Sequence, residues 1–199
     1  MSARRTPSLL CLGALLAGCG GTDTPAPPLF VECAAAAGVD VPLTCGDPAQ
    51  EPSILEVNGN GAALADLDGD GDLDLVLVDG STRARLMAGD PVTHVVLLNQ
   101  GVRDGVPRFL RSPEPTGLEQ RGWPTGISAG DVDQDGRVDL LVGGLGEDAL
   151  FLNRTPAGGA VRFEKRALPG RRSPQDWTAS LALADADGDG RLDAWLTRY

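Results

Sequence analysis

The sequence predicts an all-β protein built from blades of a β-propeller, and three observations lead to this prediction. One type of segment recurs three times, starting at Asn58, Trp123 and Trp177. Each copy contains an acidic turn followed by apolar runs of strand length. The chain of 199 residues also contains 27 Gly and 15 Pro, which favours many turns between short elements. Four expected strands in roughly 60 residues match the size of a propeller blade.

Residues 1–18 have the features of a secretory signal peptide. Arg4 and Arg5 precede an apolar stretch, residues 9–17, that is too short to cross a bilayer as a helix. The run Leu-Ala-Gly-Cys that ends at Cys19 resembles a bacterial lipobox, which implies cleavage before Cys19 and lipid attachment to it. An ordinary cleaved signal is the alternative. Residues 19–29 predict a flexible tether. We therefore expect an exported protein, anchored by lipid to the cell envelope at the outer membrane or cell surface, or otherwise secreted.

Two cysteines remain beyond the signal peptide and the lipid site. Cys33 and Cys45 lie twelve positions apart. In an oxidising compartment, such a pair is expected to form a disulfide. Two independent buried thiols are the alternative.

The charge of the chain excludes one class of partner. The formal net charge is -11, which argues against nucleic acid because phosphates require Lys and Arg. Hydrophobic residues make up 42% of the chain, too many for a disordered acidic segment. The acidic residues are instead concentrated in the repeated turns.

The three repeats share the pattern D-x-D-x-D-G-x-x-D. The aspartates of this pattern are Asp66, Asp68, Asp70, Asp74, Asp131, Asp133, Asp135, Asp139, Asp185, Asp187, Asp189 and Asp193. Calcium takes six to eight oxygen ligands, and carboxylates at positions 1, 3 and 5 can surround one side of it. Glycine at position 6 permits a sharp turn. The sequence therefore predicts about three Ca²⁺ ions, one for each loop.

Position 7 of each loop is expected to contribute a backbone carbonyl to the ion. Its side chain varies between Asp72, Arg137 and Arg191, and an arginine side chain cannot be a calcium ligand. An EF-hand is excluded because position 12, which needs a bidentate Glu, is Leu or Val. Three acidic surface turns without metal are the remaining alternative.

Further strands follow each loop. A strand ending in Asn is predicted at residues 95–101 and 149–155, and a strand opening with Phe at Phe109 and Phe163. Phe30 has the same spacing to a following glycine as Phe109 has to Gly117. The repeat unit is therefore a strand, an Asp loop and three more strands.

These motifs resemble FG-GAP or VCBS repeats, the unit of integrin-type β-propellers, and in particular bacterial proteins similar to cartilage acidic protein and the UnbV group. The resemblance covers residues 30–199 and implies calcium ligands at the twelve aspartates. Residues 39–58 form a longer segment than their counterparts. Three loops are fewer than the roughly seven blades of such propellers, so we expect a fragment or an incomplete propeller of about three blades.

Other candidate residues have simpler interpretations. Trp123 and Trp177 share one repeat position and predict packing between blades, with a sugar platform as the alternative. Trp195 is expected in the core. Asn153 lies in a glycosylation motif, but a structural turn explains it because Asn99 occupies the same position without that motif. His94, the single His, has no catalytic motif nearby.

The expected function is a calcium-binding, surface-anchored scaffold that binds a protein or glycan ligand, without catalytic residues. The alternative is the propeller portion of a secreted hydrolase or lyase. A third hypothesis is a lipoprotein for substrate capture or assembly whose activity lies in a partner. The fold does not name the ligand, because propellers host many functions.

Overall fold

Two four-stranded antiparallel sheets dominate the computed structural model, which describes residues 30–49, 53–169, 173 and 175–199. Residues Cys33–Tyr199 form one compact unit. The signal peptide 1–18, the lipid site Cys19 and the tether 19–29 lie outside the described residues. None of the helices in the described part of the chain has the length and apolarity that crossing a membrane requires.

Short helical elements precede the first sheet. Helix α1 covers Ala34–Ala37, and a 3₁₀ turn covers Ile54–Val57. Phe30 shares the Phe-to-Gly spacing of the Phe-strands but begins no strand, since residues 30–33 have no regular structure and Phe30 is 88% exposed. The Phe-to-Gly spacing nevertheless corresponds to a contact between the glycine of one repeat and the backbone of the next repeat.

The first sheet contains four strands in the order β1-β2-β4-β5. Their bounds are β1 Ala62–Ala65, β2 Asp74–Leu77, β4 Val95–Arg103 and β5 Val106–Arg111. Helix α2 (Arg83–Ala88) and strand β3 (Val92–Thr93) are inserted between β2 and β4. Thr82 caps α2 by accepting a hydrogen bond from Arg85 N, and Gly89 ends it in the left-handed region. This insertion was not expected from the repeat.

The second sheet is an uninterrupted meander of four strands, β7 to β10. Their bounds are β7 Gly122–Gly130, β8 Asp139–Gly146, β9 Ala149–Asn153 and β10 Phe163–Ala167. Strand β6 (Glu119–Gln120) pairs with β3 in a small separate sheet. Strands β11 (Thr178–Ala184) and β12 (Asp193–Arg198) form a two-stranded third sheet. The predicted all-β fold with four-stranded antiparallel blades is therefore confirmed.

The main core lies between the first two sheets. Val76 and Val96 from the first sheet belong to the same buried cluster as Leu140, Val142 and Phe151 from the second. Alternation along each strand directs these side chains to one face, where their burial stabilises the pair of sheets.

Trp123 and Trp195 have different surroundings. Trp123 is 1% exposed, which confirms its packing role. Trp195 is 60% exposed, so the expectation that it belongs to the core is wrong. The third sheet has two strands in the described part of the chain, and this leaves little for Trp195 to pack against.

The Phe-to-Gly spacing marks a contact between successive repeats. Gly117 has φ +79, and a Cβ there would lie 2.6 Å from the carbonyl oxygen of Phe163. Gly38 has φ +80, and its Cβ would lie 2.6 Å from the carbonyl oxygen of Phe109. Any other residue would clash with the backbone of the next repeat, so both positions require glycine.

The two cysteines of the compact unit are not bonded to each other. Cys33 and Cys45 both carry free thiols, so the structure does not form the disulfide predicted from sequence. The Sγ atom of Cys45 instead lies 3.1 Å from the carbonyl oxygen of Asn58, where it can act as a weak donor.

Candidate metal centres

Each Asp loop connects the first two strands of its sheet. Loop 1 (residues 66–74) joins β1 to β2, loop 2 (residues 131–139) joins β7 to β8, and loop 3 (residues 185–193) joins β11 to β12. The last Asp of each loop pairs with the residue before the first Asp, in the same antiparallel register. The three loops therefore occupy equivalent positions in their sheets.

The first carboxylate of each loop organises the turn. One oxygen of Asp66 accepts a hydrogen bond from the backbone N–H of Gly71 at 3.0 Å. The equivalent distances are 2.9 Å from Gly136 to Asp131 and 2.9 Å from Gly190 to Asp185. These three glycines have φ between +85 and +92, which explains why position 6 needs glycine.

The carboxylate at position 5 stabilises the next part of each loop. It accepts a hydrogen bond from the backbone N–H of position 7. The donor–acceptor distances are 2.8 Å for Asp72 and Asp70, 3.0 Å for Arg137 and Asp135, and 2.8 Å for Arg191 and Asp189. The side chain at position 7 is not needed for this bond, so it can vary.

Three carboxylates converge in every loop, with one oxygen of each within 4.8 Å of the others. The groups are Asp66, Asp68 and Asp70 in loop 1, Asp131, Asp133 and Asp139 in loop 2, and Asp185, Asp187 and Asp193 in loop 3. Positions 1 and 3 belong to all three groups, whereas the third member is position 5 in loop 1 and position 9 in the others. An oxygen-only donor set fits a hard cation such as calcium.

The carboxylate at position 9 has a structural role that the sequence did not indicate. Asp139 accepts backbone hydrogen bonds from Val132 at 2.9 Å and from Asn153 at 2.7 Å. In loop 1, Asp74 accepts the equivalent bonds from Leu67 at 3.0 Å and Asn99 at 2.8 Å. This aspartate therefore fastens the loop to the third strand of its sheet.

Burial changes the ionisation of these two carboxylates. Desolvation raises the pKa of Asp74 and of Asp139 above the ordinary value of an aspartate. The backbone N–H groups that donate hydrogen bonds to these carboxylates act to lower it, but burial outweighs them. In loop 3, Asp193 is less buried and accepts from Ala186 N at 3.0 Å. The aspartate at position 9 is therefore more buried in the two four-stranded sheets than in the two-stranded third sheet.

The asparagine that ends the third strand is also structural. Asn153 is fully buried, and its side-chain amide donates to the carbonyl oxygen of Leu67 at 3.0 Å. Its side-chain oxygen accepts from Thr155 N at 2.9 Å. These bonds agree with the structural-turn interpretation, because the amide is buried and both its nitrogen and its oxygen form hydrogen bonds within the protein.

Loop 2 differs from loop 1 in its electrostatic surroundings. Burial raises the pKa of Asp68 in loop 1, and the charges of Asp70 and Asp66 add to this effect. At the equivalent position of loop 2, burial also raises the pKa of Asp133, but the hydrogen bond and charge of Arg154 outweigh it and hold the pKa below its ordinary value. The role of Arg154 was not predicted from the sequence. The repeat aligns Arg154 with Gln100, so the alignment does show that loop 2 has a positive charge at a position where loop 1 has a neutral side chain.

The side chain of Arg137, which the sequence excludes only as a calcium ligand, contacts its own loop. Its guanidinium pairs with Asp135, and its Nε donates to the carbonyl oxygen of Asn153 at 2.9 Å. The third strand brings this carbonyl next to the loop, an arrangement that loop spacing alone does not reveal.

A cavity of about 440 Å³ lies near strands β1, β7 and β11, which lead into the three Asp loops. Asn58, Thr125, Trp177 and Tyr199 contribute to its lining. The rings of Trp177 and Tyr199 lie edge to face, with centroids 5.9 Å apart. The cavity therefore combines aromatic and polar side chains, the composition typical of ligand pockets.

His94 has a structural environment. It is buried, its Nδ1 accepts from Asp79 N at 3.2 Å, and its Nε2 lies 3.5 Å from Oε1 of Gln120. This pattern requires the tautomer protonated on Nε2. Burial lowers the pKa of His94 to about 4, so its ring is neutral near pH 7.

Comparison with known proteins gives one match. A family model described as an FG-GAP-like repeat matches residues 66–142 and 133–196, which together contain all three loops. No curated protein and no solved structure matched the chain.

Proposed function

The chain belongs to the FG-GAP-like repeat family, and on this premise we propose that it is a calcium-stabilised β-propeller scaffold that binds a glycan or another macromolecule. The observation that carries the calcium proposal is the threefold occurrence of a converging oxygen-only cluster in one conserved turn geometry. One such cluster could be a surface turn, but three equivalent ones favour a common ligand.

The aspartates at positions 1 and 3 would hold the ion, together with the third converging carboxylate of each loop. The carbonyls of residues 72, 137 and 191 are the proposed backbone ligands. Bound calcium would neutralise carboxylates that otherwise repel one another within a few ångströms. The loop residues themselves supply the turn through their internal hydrogen bonds.

We propose a binding role rather than a catalytic one. The aspartates that could act as acid–base pairs are already engaged in the loops, where their spacing suits a metal. The cavity beside Trp177 is the proposed ligand site, because an indole face can stack on a sugar ring while Asn58 and Thr125 offer hydrogen-bonding groups.

Attachment to the cell envelope remains part of the proposal. The lipobox at residues 16–19 supports lipidation of Cys19. Mass spectrometry of the native N-terminus is expected to detect an acylated Cys19, and Cys19→Ser is expected to release the protein from membranes. An unmodified mature N-terminus at another residue would contradict this part of the proposal.

Calcium binding is tested by thermal unfolding with about 2 mM calcium or with chelator. If each loop binds with a Kd of about 10⁻⁴ M, each site adds roughly 1.8 kcal/mol and three add about 5 kcal/mol. The melting temperature should therefore fall on chelation, and magnesium should substitute poorly because it requires tighter octahedral geometry.

A pair of variants assigns the effect to the loops. Asp68→Ala should remove about one third of the calcium-dependent stabilisation. Glu114→Ala, an exposed carboxylate outside the loops, should leave it unchanged. A melting temperature that is insensitive to chelator in the unmodified chain would refute calcium binding.

The ligand site is tested with a panel of immobilised oligosaccharides. Trp177→Ala should abolish retention, because Trp177 lines the cavity. Trp195→Ala is the matched control, since Trp195 is exposed and does not line it. Equal losses in both variants would exclude the cavity as the site.

A further inference from the structure

We infer that Arg154, which contacts loop 2 in addition to the Arg137–Asp135 ion pair, is a built-in counter-cation of loop 2, so that loop 2 keeps its folded shape without calcium and binds calcium more weakly than loop 1. This inference rests on the proposed calcium binding and extends it, because it ranks loops that the motif alone makes equal. It concerns a residue that lies outside the Asp motif, at the end of the third strand of the second sheet.

The guanidinium of Arg154 contacts two carboxylates of loop 2. Its Nη2 lies 2.8 Å from Oδ2 of Asp133, and its Nη1 lies 2.8 Å from Oδ2 of Asp135. Asp133 is one of the three carboxylates that converge in this loop. A planar guanidinium with five donors suits simultaneous contact with several carboxylates. Arg154 therefore uses oxygens that a calcium ion would need.

The backbone holds Arg154 in place for this contact. Its N–H donates to the carbonyl oxygen of Arg162 at 2.7 Å, and the preceding residue, Asn153, is fastened to Asp139. Its Nε also lies 3.4 Å from Glu164. The side chain thus starts from a fixed point beside the loop, which lowers the entropy cost of the ion pairs.

Loop 1 has no equivalent cation. The residue at the same repeat position is Gln100, whose side-chain amide donates to the carbonyl oxygens of Asn99 and Leu98. Within residues 30–49, 53–169, 173 and 175–199, no Lys or Arg forms an ion pair with an aspartate of loop 1 or of loop 3. When metal is absent, the carboxylates of loop 1 therefore repel one another, and no ion-paired Lys or Arg among the described residues offsets this repulsion.

The effect on affinity follows from charge and competition. Calcium entering loop 2 has to displace the Arg154 contacts or bind beside a positive guanidinium. Partly exposed ion pairs and a screened repulsion of this kind correspond to about a tenfold loss of affinity. Loop 1 is exempt from both effects.

The test follows the three loops separately in one experiment. The backbone amides of Gly71, Gly136 and Gly190 each donate to the first Asp of their own loop. The amides of Gly71 and Gly136 therefore report loops 1 and 2 separately, and Gly190, whose carbonyl also accepts from Gln134, reports loop 3. The full chain, labelled with ¹⁵N, is titrated with calcium chloride and observed by NMR. We expect Gly136 to reach its midpoint at about tenfold higher calcium than Gly71.

Two exchanges between equivalent positions probe the cause. Arg154→Gln should move the Gly136 midpoint about tenfold lower and leave Gly71 and Gly190 unchanged. Gln100→Arg should move the Gly71 midpoint upward. Arg166→Gln is the control, because Arg166 also pairs with Glu164 but touches no loop. If Arg154→Gln fails to fold, Gln100→Arg still tests the inference in loop 1.

The outcomes separate this inference from the proposed function. If Gly71 and Gly190 respond to calcium but Arg154→Gln leaves the Gly136 midpoint in place, the counter-cation role is refuted and calcium binding stands. If none of the three amides responds up to about 10 mM calcium, above the usual range for extracellular sites, both the proposed calcium binding and this inference are refuted.

Discussion

Loop 2 and loop 3 contain the same motif and share the hydrogen bonds donated by the backbone at positions 6 and 7, yet their surroundings differ. In loop 2, Asp139 is buried and both its oxygens accept backbone bonds, one of them from the third strand. In loop 3, Asp193 is half-buried and accepts from Ala186 within its own loop. The motif therefore determines the turn, whereas the neighbouring strands determine how firmly the turn is held.

The two loops are also in direct contact. Nε2 of Gln134 in loop 2 donates to the carbonyl oxygen of Gly190 in loop 3 at 2.5 Å. Gln134 has φ +59, while the equivalent Gly69 and Gly188 have φ +81 and +77. Loop 2 thus accepts a strained non-glycine residue at a position where its counterparts use glycine.

The largest expected effect comes from removing the last aspartate of each loop. Asp139→Ala leaves one buried and one partly buried N–H group without acceptors and should lower the free energy of unfolding by about 3 kcal/mol. Asp193→Ala leaves one partly exposed N–H and should cost about 1 kcal/mol. Urea unfolding with chelator present measures both values without a contribution from calcium. Equal costs would mean that the third strand does not anchor loop 2.

We expect the buried ring of His94, which lies outside the Asp loops, to make the free energy of unfolding depend on pH. The pKa of His94 falls from 6.5 to about 4 in the folded protein, with burial as the main cause. The unfolded chain therefore binds the proton more tightly. The stabilisation is complete above pH 6.5 and is lost as the pH falls toward 4, by up to about 3 kcal/mol.

The variant His94→Asn isolates this contribution, because Asn can still accept from the N–H of Asp79. Between pH 7 and 4.5, the unmodified chain should lose more stability in urea unfolding than the variant does. The hydrogen bond to Gln120 and the charge of Asp79 act to raise the pKa of His94, and the charge of Lys165 acts to lower it. The raised pKa values of Asp74 and Asp139 stabilise the folded state at low pH, and comparison with the variant cancels this opposing effect. Identical pH profiles would contradict the assignment.

The smallest expected effect concerns the left-handed position of the loops. A Cβ at Gly69 would meet no atom within 4 Å, so Gly69→Gln adds only backbone strain and should cost about 1 kcal/mol. Gln134→Gly should change stability by less than about 0.5 kcal/mol, because relief of strain is offset by the lost hydrogen bond to Gly190 and by the flexibility of glycine. Thermal unfolding measures both. A neutral Gly69→Gln would show that loop 1 does not need glycine there.

Much of the architecture could be predicted from sequence because it depends on local spacing. The Asp loops, the strands that flank them and the strand that opens with Phe163 occur where the repeat predicts them, whereas the strand predicted to open with Phe109 begins at Val106. A turn built from carboxylates that bond to nearby N–H groups needs only a few consecutive residues. The ligand role of the fifteen predicted residues and the ion itself stay predictions.

Other features depended on contacts between residues far apart in the chain. The Phe-to-Gly spacing was visible, but its reason, a close approach to the backbone of the next repeat, was not. Phe30 lies outside regular structure, Trp195 is exposed, and the thiols of Cys33 and Cys45 are free, against expectation.

By itself, the sequence determined the repeated loop and the four-stranded unit, since both follow from local periodicity and turn chemistry. The tertiary structure alone decided which loop has a counter-cation and which aspartate is buried. Arg154 reaches Asp133 across 21 positions, and Asn153 reaches Asp139 across 14. The pairing of the strands brings such groups together, and that pairing is a property of the folded sheets rather than of any one repeat.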